Sequence, residues 1–511
     1  MRTRLLLVAA LAGIALLAAA AGSPPAVQVS GPSPFSRCAE DEPARQPGSF
    51  APSTEVEPRL AVNPRNPRNL VGTYQQDRWD NGGARGLVAA ASFDGGLTWT
   101  TAPIPGLSRC SGGTYDRATD PWLSFAPNGD VYHVALAFDG QVTRRSQLRE
   151  PGIGRERRPP EAGGGYQANA LLVSKSQTGG LTWSAPAVVN LDPGDGFNDK
   201  EMIVADPGDP SRAYLVWDYY YGRGPQATME ILFSRTVDGG RTWEHPRAVY
   251  APDLDHTAAF PQLVAQPDGT LLVFFTYWMP SQRDAQGKVT AWRSLVAFKR
   301  SRDGGRTWQP TGEPQGGVGL GLGSLIVRGT YLRTGSEILD VVGDPRTGYL
   351  YVVWKDAYLG PAHTAAFTMS QDGGTTWSAP IRVSQNPRIE NREGNESWHS
   401  FTPTVAVGPG GTVAVFYYDL RHSRLSSPQV ATDAFVSLCR PIYPSDCATP
   451  ANWREERVTE DSFDLLQAPY AYGLFLGDYQ GLASDGVDFL AFFSRVHSGD
   501  RASVFFRRIA F

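Results

Sequence analysis

The stretch Ser301-Arg302-Asp303-Gly304-Gly305-Arg306-Thr307-Trp308 is one of five near-copies of a single octapeptide. The others are Ser92-Phe93-Asp94-Gly95-Gly96-Leu97-Thr98-Trp99, Ser176-Gln177-Thr178-Gly179-Gly180-Leu181-Thr182-Trp183, Thr236-Val237-Asp238-Gly239-Gly240-Arg241-Thr242-Trp243 and Ser370-Gln371-Asp372-Gly373-Gly374-Thr375-Thr376-Trp377. They recur at intervals of roughly 60 to 85 residues, long enough for a four-stranded propeller blade with its loops. Asp-Gly-Gly sits where a hairpin needs positive φ and a side-chain acceptor, and the Trp three residues after the second Gly re-enters a strand. The octapeptide reads as a turn that staples two strands.

A second repeat is an apolar, alternating strand that usually closes on Pro or Gly. Its copies begin at Arg59, Trp122, Met202, Gln262, Leu339, Thr404 and Gly481. Apolar-aromatic partner strands follow, as at 131–136, 213–217, 271–275, 350–354, 413–417 and 489–493, with a weaker version at 70–74. A third strand runs into each octapeptide and a fourth leaves it. The expected fold is all-β, a β-propeller of four-stranded blades, with seven blades favoured and six the alternative. In the sixth unit Cys439, Cys447 and Trp453 replace the octapeptide. The seventh stops after its third strand, so a fourth must come from elsewhere. Residues 26–30 can supply it and remove the open edge; the competing reading makes 23–50 a loose Pro/Ser-rich leader.

Residues 1–22 carry Arg2 and Arg4, an apolar run and a small-residue end, the three parts of a secretory signal. A retained membrane anchor is the competing reading. The expected location is secreted, extracellular or periplasmic, with no membrane association after cleavage and a monomeric 51–511 propeller domain. A net charge of −4 over 511 residues gives no global attraction to nucleic acid or anionic membranes. Four cysteines in an exported chain suggest two disulfides, Cys439 with its neighbour Cys447 and Cys38 with Cys110. No CxxC supports a zinc site. The insertion 141–167, with Arg144, Arg145, Arg149, Arg155, Arg157 and Arg158, is a solvated loop or, on the sharper reading, a basic lid over an anionic ligand.

In an up-and-down blade all octapeptides fall on one rim, so chemistry is expected on the other. That rim carries Glu57, Arg59, Arg117, Asp120, Asp199, Lys200, Glu201, Glu337, Asp478 and Tyr479 entering first strands. Asp77, Arg78, Trp278 and Arg421 follow second strands. Carboxylates with interleaved arginines suit a charged or hydroxylated ligand, and aromatics such as Trp278 stack on sugar rings. For any one of these residues, capping or cross-blade pairing is the competing role. No G-x-S-x-G, H-E-x-x-H or Walker pattern occurs, and the glycine-rich 317–321 reads as a loop. The segment 192–199 is oxygen-rich but misses EF-hand spacing, so no metal site or cofactor is expected and calcium is left open.

The octapeptides match the Asp box, S/T-x-D-x-G-x-T-W, and a chain with several of them resembles the sialidase (neuraminidase) superfamily of BNR-repeat proteins. The resemblance implies a glycoside hydrolase acting on glycans, with arginines clamping a carboxylate, an acid/base Asp and a Tyr–Glu nucleophile pair. Carried onto this chain by order, it implies catalytic roles for Asp77, Asp120, Glu201 and Tyr479. Substrate binding falls to Arg59, Arg78, Arg117, Glu337, Arg421 and Trp278. The family's Phe/Tyr-Arg-Ile-Pro motif is replaced by Glu57-Pro58-Arg59-Leu60. Sialidase domains are six-bladed, a second departure. A non-catalytic propeller that binds glycan or protein is the alternative.

Overall fold

A computed structural model describes residues 23–140, 167–222, 228–253, 255–385, 398–497 and 499–510. The signal-like residues 1–22 and the arginines of the insertion lie outside the described residues. The chain is all-β, with only three-residue helical turns between strands among the described residues. Phe50–Val62, Leu70–Trp79, Ala84–Ser92 and Thr100–Pro103 pair antiparallel in chain order. Arg117–Phe125, Val131–Phe138, Asn169–Ser176 and Ala187–Asp192 repeat that order. So do the sheets over 196–250, 257–320, 340–382 and 400–457.

The last strands, Gly481–Ser484, Phe489–His497 and Asp500–Ile509, pair in the same way. Their fourth position is held by Val27–Gln28, with Val27 opposite Phe506 and Gln28 opposite Phe505. First strands of successive sheets stand side by side, and Gly481–Ser484 stands beside Phe50–Val62. This is the arrangement of propeller blades.

Second strands are buried over their first six residues or more because neighbouring sheets cover both faces. Leu70–Trp79 and Val413–Asp419 are buried throughout, and Trp79, Trp217 and Trp354 are fully enclosed. The core is therefore a series of layers between sheets, one cluster running from Trp122 through Trp217 to Phe275. Gln315–Leu320 is a strand, unlike the loop its glycines suggest. A Cβ at Gly317 would lie 3.1 Å from the Val296 carbonyl and 3.2 Å from Trp377 Nε1, so the glycine admits a tryptophan from the next sheet. An additional hairpin, Leu325–Val327 with Thr330–Arg333, interrupts the rhythm and pairs parallel to Leu474–Phe475.

Every octapeptide joins the third and fourth strands of its sheet. In the first, Asp94 Oδ1 accepts the N–H groups of Leu97 and Thr98 at 3.0 Å, and Oδ2 accepts the Thr98 hydroxyl at 2.6 Å. Ser92 Oγ accepts the Gly96 N–H at 2.9 Å. The Thr and Gly bonds recur around Asp238, Asp303 and Asp372. They hold Asp94, Asp238 and Asp372 down at about 2, and Asp303 lower still. In the second copy the Thr178 hydroxyl accepts the Thr182 N–H at 2.9 Å, a neutral substitute.

The turns also reach the preceding sheet. The first-glycine carbonyl accepts from Arg508 for Gly95 (3.1 Å), Asn69 for Gly179 (3.1 Å), Lys175 for Gly239 (2.9 Å) and Arg235 for Gly304 (2.5 Å), and Arg300 serves Gly373. The second glycine has positive φ and lies against Phe506, Val71, Tyr132, Phe233 or Phe298 of that sheet, where a Cβ would clash. The octapeptide thus joins sheet to sheet as well as strand to strand.

Both disulfides form as expected, Cys38–Cys110 and Cys439–Cys447. In the sixth sheet Trp453 Nε1 donates to the Cys447 carbonyl at 2.9 Å, as Trp99 Nε1 donates to Gly96 at 3.1 Å. The Trp453 ring lies 5.0 Å from Phe367 of the preceding sheet. The disulfide loop therefore performs the octapeptide's work. Cys38 ties the N-terminal segment to the first sheet, where Phe35 is buried and Asp41 pairs with Arg85 at 2.7 Å. Among the described residues no helix is long and apolar enough to cross a membrane.

Gly305→Ala, which forces a Cβ to 2.3 Å from the Phe233 ring at φ +83°, is expected to cost at least about 2 kcal/mol of unfolding free energy in urea titrations. Thr178→Asp, which restores the carboxylate, is expected to add about 0.5–1 kcal/mol in the same assay.

Candidate functional site

Five first strands carry a register shift at one residue of positive φ: Glu57 (54°), Asp120 (50°), Lys200 (52°), Phe260 (62°) and Thr402 (51°). In four of them the next residue is proline, Pro58, Pro121, Pro261 or Pro403, which cannot donate to the ladder. Each bulge re-aims a side chain, and left-handed non-glycine residues persist only where their surroundings hold them.

Three of these bulges build one cluster. Lys200 Nζ lies 3.0 Å from Asp120 Oδ1, 2.9 Å from Asp478 Oδ2 and 3.8 Å from Glu57 Oε1. Arg333, from the additional hairpin, donates through Nε to Asp478 Oδ1 at 3.0 Å and through Nη2 to Oδ2. Gln75 donates to Glu57 and, at 3.0 Å, to Thr119, while accepting from Arg78. Phe475 lies beneath the Arg78 and Arg333 guanidiniums at 4.7 and 4.6 Å. Glu57, Asp120, Glu201 and Asp478 are all 5% exposed or less.

Burial splits these carboxyls into two kinds. It pushes Glu57 up to about 8 against the pull of Lys200, and Asp199 up to about 7. Burial acts on Asp120 and Asp478 too, but Lys200 at Asp120, and Arg333 followed by Lys200 at Asp478, outweigh it and hold both below the usual range. Glu201, with neither oxygen hydrogen-bonded among the described residues, is raised well above a normal carboxyl by burial and by Asp120. The three carboxylates beside Lys200 overcome the cost of its burial and raise it. At neutral pH the cluster holds protonated and ionised carboxyls side by side, the condition for acid/base work.

The other expected residues are placed as follows. Tyr479 is buried, its hydroxyl donating to the Pro121 carbonyl at 3.2 Å and its ring 5.4 Å from Trp122. The Arg59 guanidinium lies over Trp122 at 3.5 Å and Tyr479 at 4.7 Å, bonded to Asp340 at 3.4 Å and to the Gln480 carbonyl at 3.2 Å. Asp77 accepts from Ser33 (2.5 Å), Ser53 (2.8 Å) and Gln76 (3.1 Å), anchoring the N-terminal segment. Arg117, fully buried, donates to Gln46, Asn81, Gly82 and Pro47 at 2.6–2.8 Å. Arg421 donates to Asp419 at 2.7 Å and to Glu455 at 3.0 Å. Trp278 is half-buried, edge-on to Phe260 at 6.2 Å, and the half-buried Glu337 accepts the Thr276 hydroxyl through its carbonyl at 2.6 Å.

The calcium-like segment closes on itself. Asp192 Oδ1 accepts the N–H groups of Gly194, Asp195 and Gly196 at 2.7, 2.8 and 3.0 Å, and Oδ2 accepts the Tyr219 hydroxyl at 2.5 Å. Sequence reasoning missed Arg333 because its hairpin belongs to no repeat. It also missed Gln75, a neutral residue inside an apolar strand. The signal it passed over was the recurrent X-Pro at first-strand bulges.

No family model matches the chain. Over 184 residues it is 30% identical to the curated "Sialidase" of Bacteroides fragilis (strain YCH46). The chain resembles the sialidases. The match spans 30% of this chain and 28% of that relative. Among solved structures, Hadza microbial sialidase Hz136 aligns at 17% identity and TM-score 0.43, over 72% of this chain and 63% of its own. The α-L-arabinofuranosidase Arb93A of Fusarium graminearum aligns at 12% identity and TM-score 0.46, over 96% and 98%.

Lys200→Met leaves the buried Asp120 without its cation and Asp478 with Arg333 alone, and is expected to cost about 3–5 kcal/mol in denaturant titrations at pH 7. Because both aspartates are held below their ordinary value of 3.8, that contribution is fully present above that pH. It disappears as pH falls through the folded values, so the deficit narrows in acid.

Proposed function

We propose that this chain is a sialidase-like glycoside hydrolase whose active site is the bulge cluster on the rim opposite the octapeptides. The observation that carries the reading is the pairing of Glu57 with Asp120. Both carboxyl groups face Lys200 Nζ, at 3.8 and 3.0 Å, which puts their nearest oxygens less than about 7 Å apart, a limit that admits the ~5–5.5 Å pairs of retaining glycosidases. Glu57, held protonated, is the acid; Asp120, held ionised, is the base or nucleophile. Lys200, Arg78 and Arg333 supply cationic contacts to an anionic or hydroxylated sugar. Glu201 and Tyr479 flank the pair, with Arg59 over the tyrosine. Trp278, Glu337, Arg117 and Arg421 act as the surrounding scaffold, and Asp77 holds the N-terminal segment against it.

The wider reading is a seven-bladed ring closed by residues 26–30, exported and monomeric, acting on extracellular glycans and not on nucleic acid. The side-by-side first strands and the Val27–Gln28 pairing support the ring. The two disulfides support an oxidising compartment. The partial match to a curated sialidase supports the substrate class. One observation favours the alternative, a glycan- or protein-binding propeller: Lys200 is already paired with Asp120 and Asp478, so its charge is met within the chain.

A panel of fluorogenic glycosides, sialosides included, separates the two readings. The expected result is turnover with a basic limb near pH 8, where Glu57 loses its proton, and a fall in kcat of at least about 100-fold in both Glu57→Gln and Asp120→Asn. Absence of turnover on every glycoside, with saturable binding on a glycan array, would replace the enzyme by the binder.

A further inference from the structure

Away from the rim cluster, the link between the third and fourth sheets brings Asp253 and His256 together, the His256 N–H donating to the Asp253 carbonyl at 2.8 Å. Glu313, beyond the fourth octapeptide, reaches the same place. One ligand atom from each of Asp253, His256 and Glu313 lies within 4.8 Å of the others. We propose that these three side chains bind a divalent transition-metal ion, with Zn2+ as its probe.

Three features carry this beyond a chance cluster. The set joins one imidazole to two carboxylates, so a dication is neutralised, and the nitrogen donor favours zinc-like ions over calcium or magnesium. The donors are also oriented from behind. The Tyr250 hydroxyl donates to Glu313 Oε2 at 3.0 Å and the Tyr277 hydroxyl donates to the same oxygen, which leaves Oε1 without a partner among the described residues. Such support fixes a ligand and raises its affinity for metal. Finally, the His256 ring stacks on Tyr277 at 5.6 Å and its Nδ1 is buried with no hydrogen-bond partner among the described residues. The ring is thus held by packing, and its Nδ1 makes no bond among the described residues that would compete with a metal ion.

Four-coordinate zinc at its usual ligand distances separates donors by about 3.4 Å, so binding draws the exposed Asp253 and Glu313 side chains inward and leaves a fourth position for water. Full-length protein stripped with chelator and titrated with Zn2+ by calorimetry is expected to bind one equivalent per chain. Glu313→Gln keeps an acceptor for both tyrosines and is expected to weaken binding at least about tenfold, as is His256→Ala. His422→Ala, at a distant histidine paired with Asp433, is expected to leave binding unchanged. With Co2+ the wild type should show the visible absorption of a tetrahedral site, absent in Glu313→Gln even if His256→Ala fails to fold. Failure to saturate at one equivalent, or equal binding by wild type and Glu313→Gln, overturns the proposal.

Discussion

A carbonyl oxygen on one sheet meeting a side chain of the sheet before it is the contact on which this architecture rests. Inside each turn the Asp carboxylate, or Thr178 in its stead, gathers N–H and hydroxyl donors and fixes the loop. The loop then presents a free carbonyl and a bare glycine Cα outward. Arg508, Asn69, Lys175, Arg235 and Arg300 meet those carbonyls from behind. A purely local motif therefore sets the stacking order of sheets that are far apart in the chain. The first octapeptide is held by Arg508 and Phe506 of the last strand pair, so the same contact spans the two ends.

With stacking secured on that rim, the opposite rim carries the strain. Glu57, Asp120 and Lys200 sit at left-handed bulges that no local preference would choose. Their side chains are committed to one another in a buried, low-dielectric space where the ion pairs must offset heavy desolvation. The result is a set of carboxyls that titrate far apart although they are chemically alike. That separation comes from position: Asp120 and Asp478 touch the cation closely, whereas Glu57 stands further from it and Glu201 has no hydrogen-bond donor among the described residues.

Much of this fold was legible in the sequence because its signals are local and repeated. Octapeptides, strand pairs and both disulfides follow from turn chemistry, period-two alternation and cysteine spacing, whereas the sequence left residues 26–30 between a closing strand and a loose leader. The sheet-to-sheet role of the turns was not legible, since the partners that meet the glycine carbonyls are arginine, lysine and asparagine with no common spacing. The site was legible only as a neighbourhood. Asp120, Glu201 and Arg78 lie in or against the cluster, while Arg117 and Arg421 turn inward to backbone and carboxylate partners. Which member of a polar group faces a shared centre depends on bulge geometry, and one residue of register reverses it. Arg333 comes from a hairpin outside the repeat and left no periodic trace.

The pairing of Val27–Gln28 with Phe505–Phe506 carries a consequence for biogenesis. Val27–Gln28 has no strand partner until Phe505 and Phe506 have been synthesised. Until that pairing forms, the outer edge of Asp500–Ile509 is open to other chains. Maturation is thus a race between self-closure and intermolecular pairing, and Cys38–Cys110, once oxidised, keeps the early segment close to where its late partner will arrive.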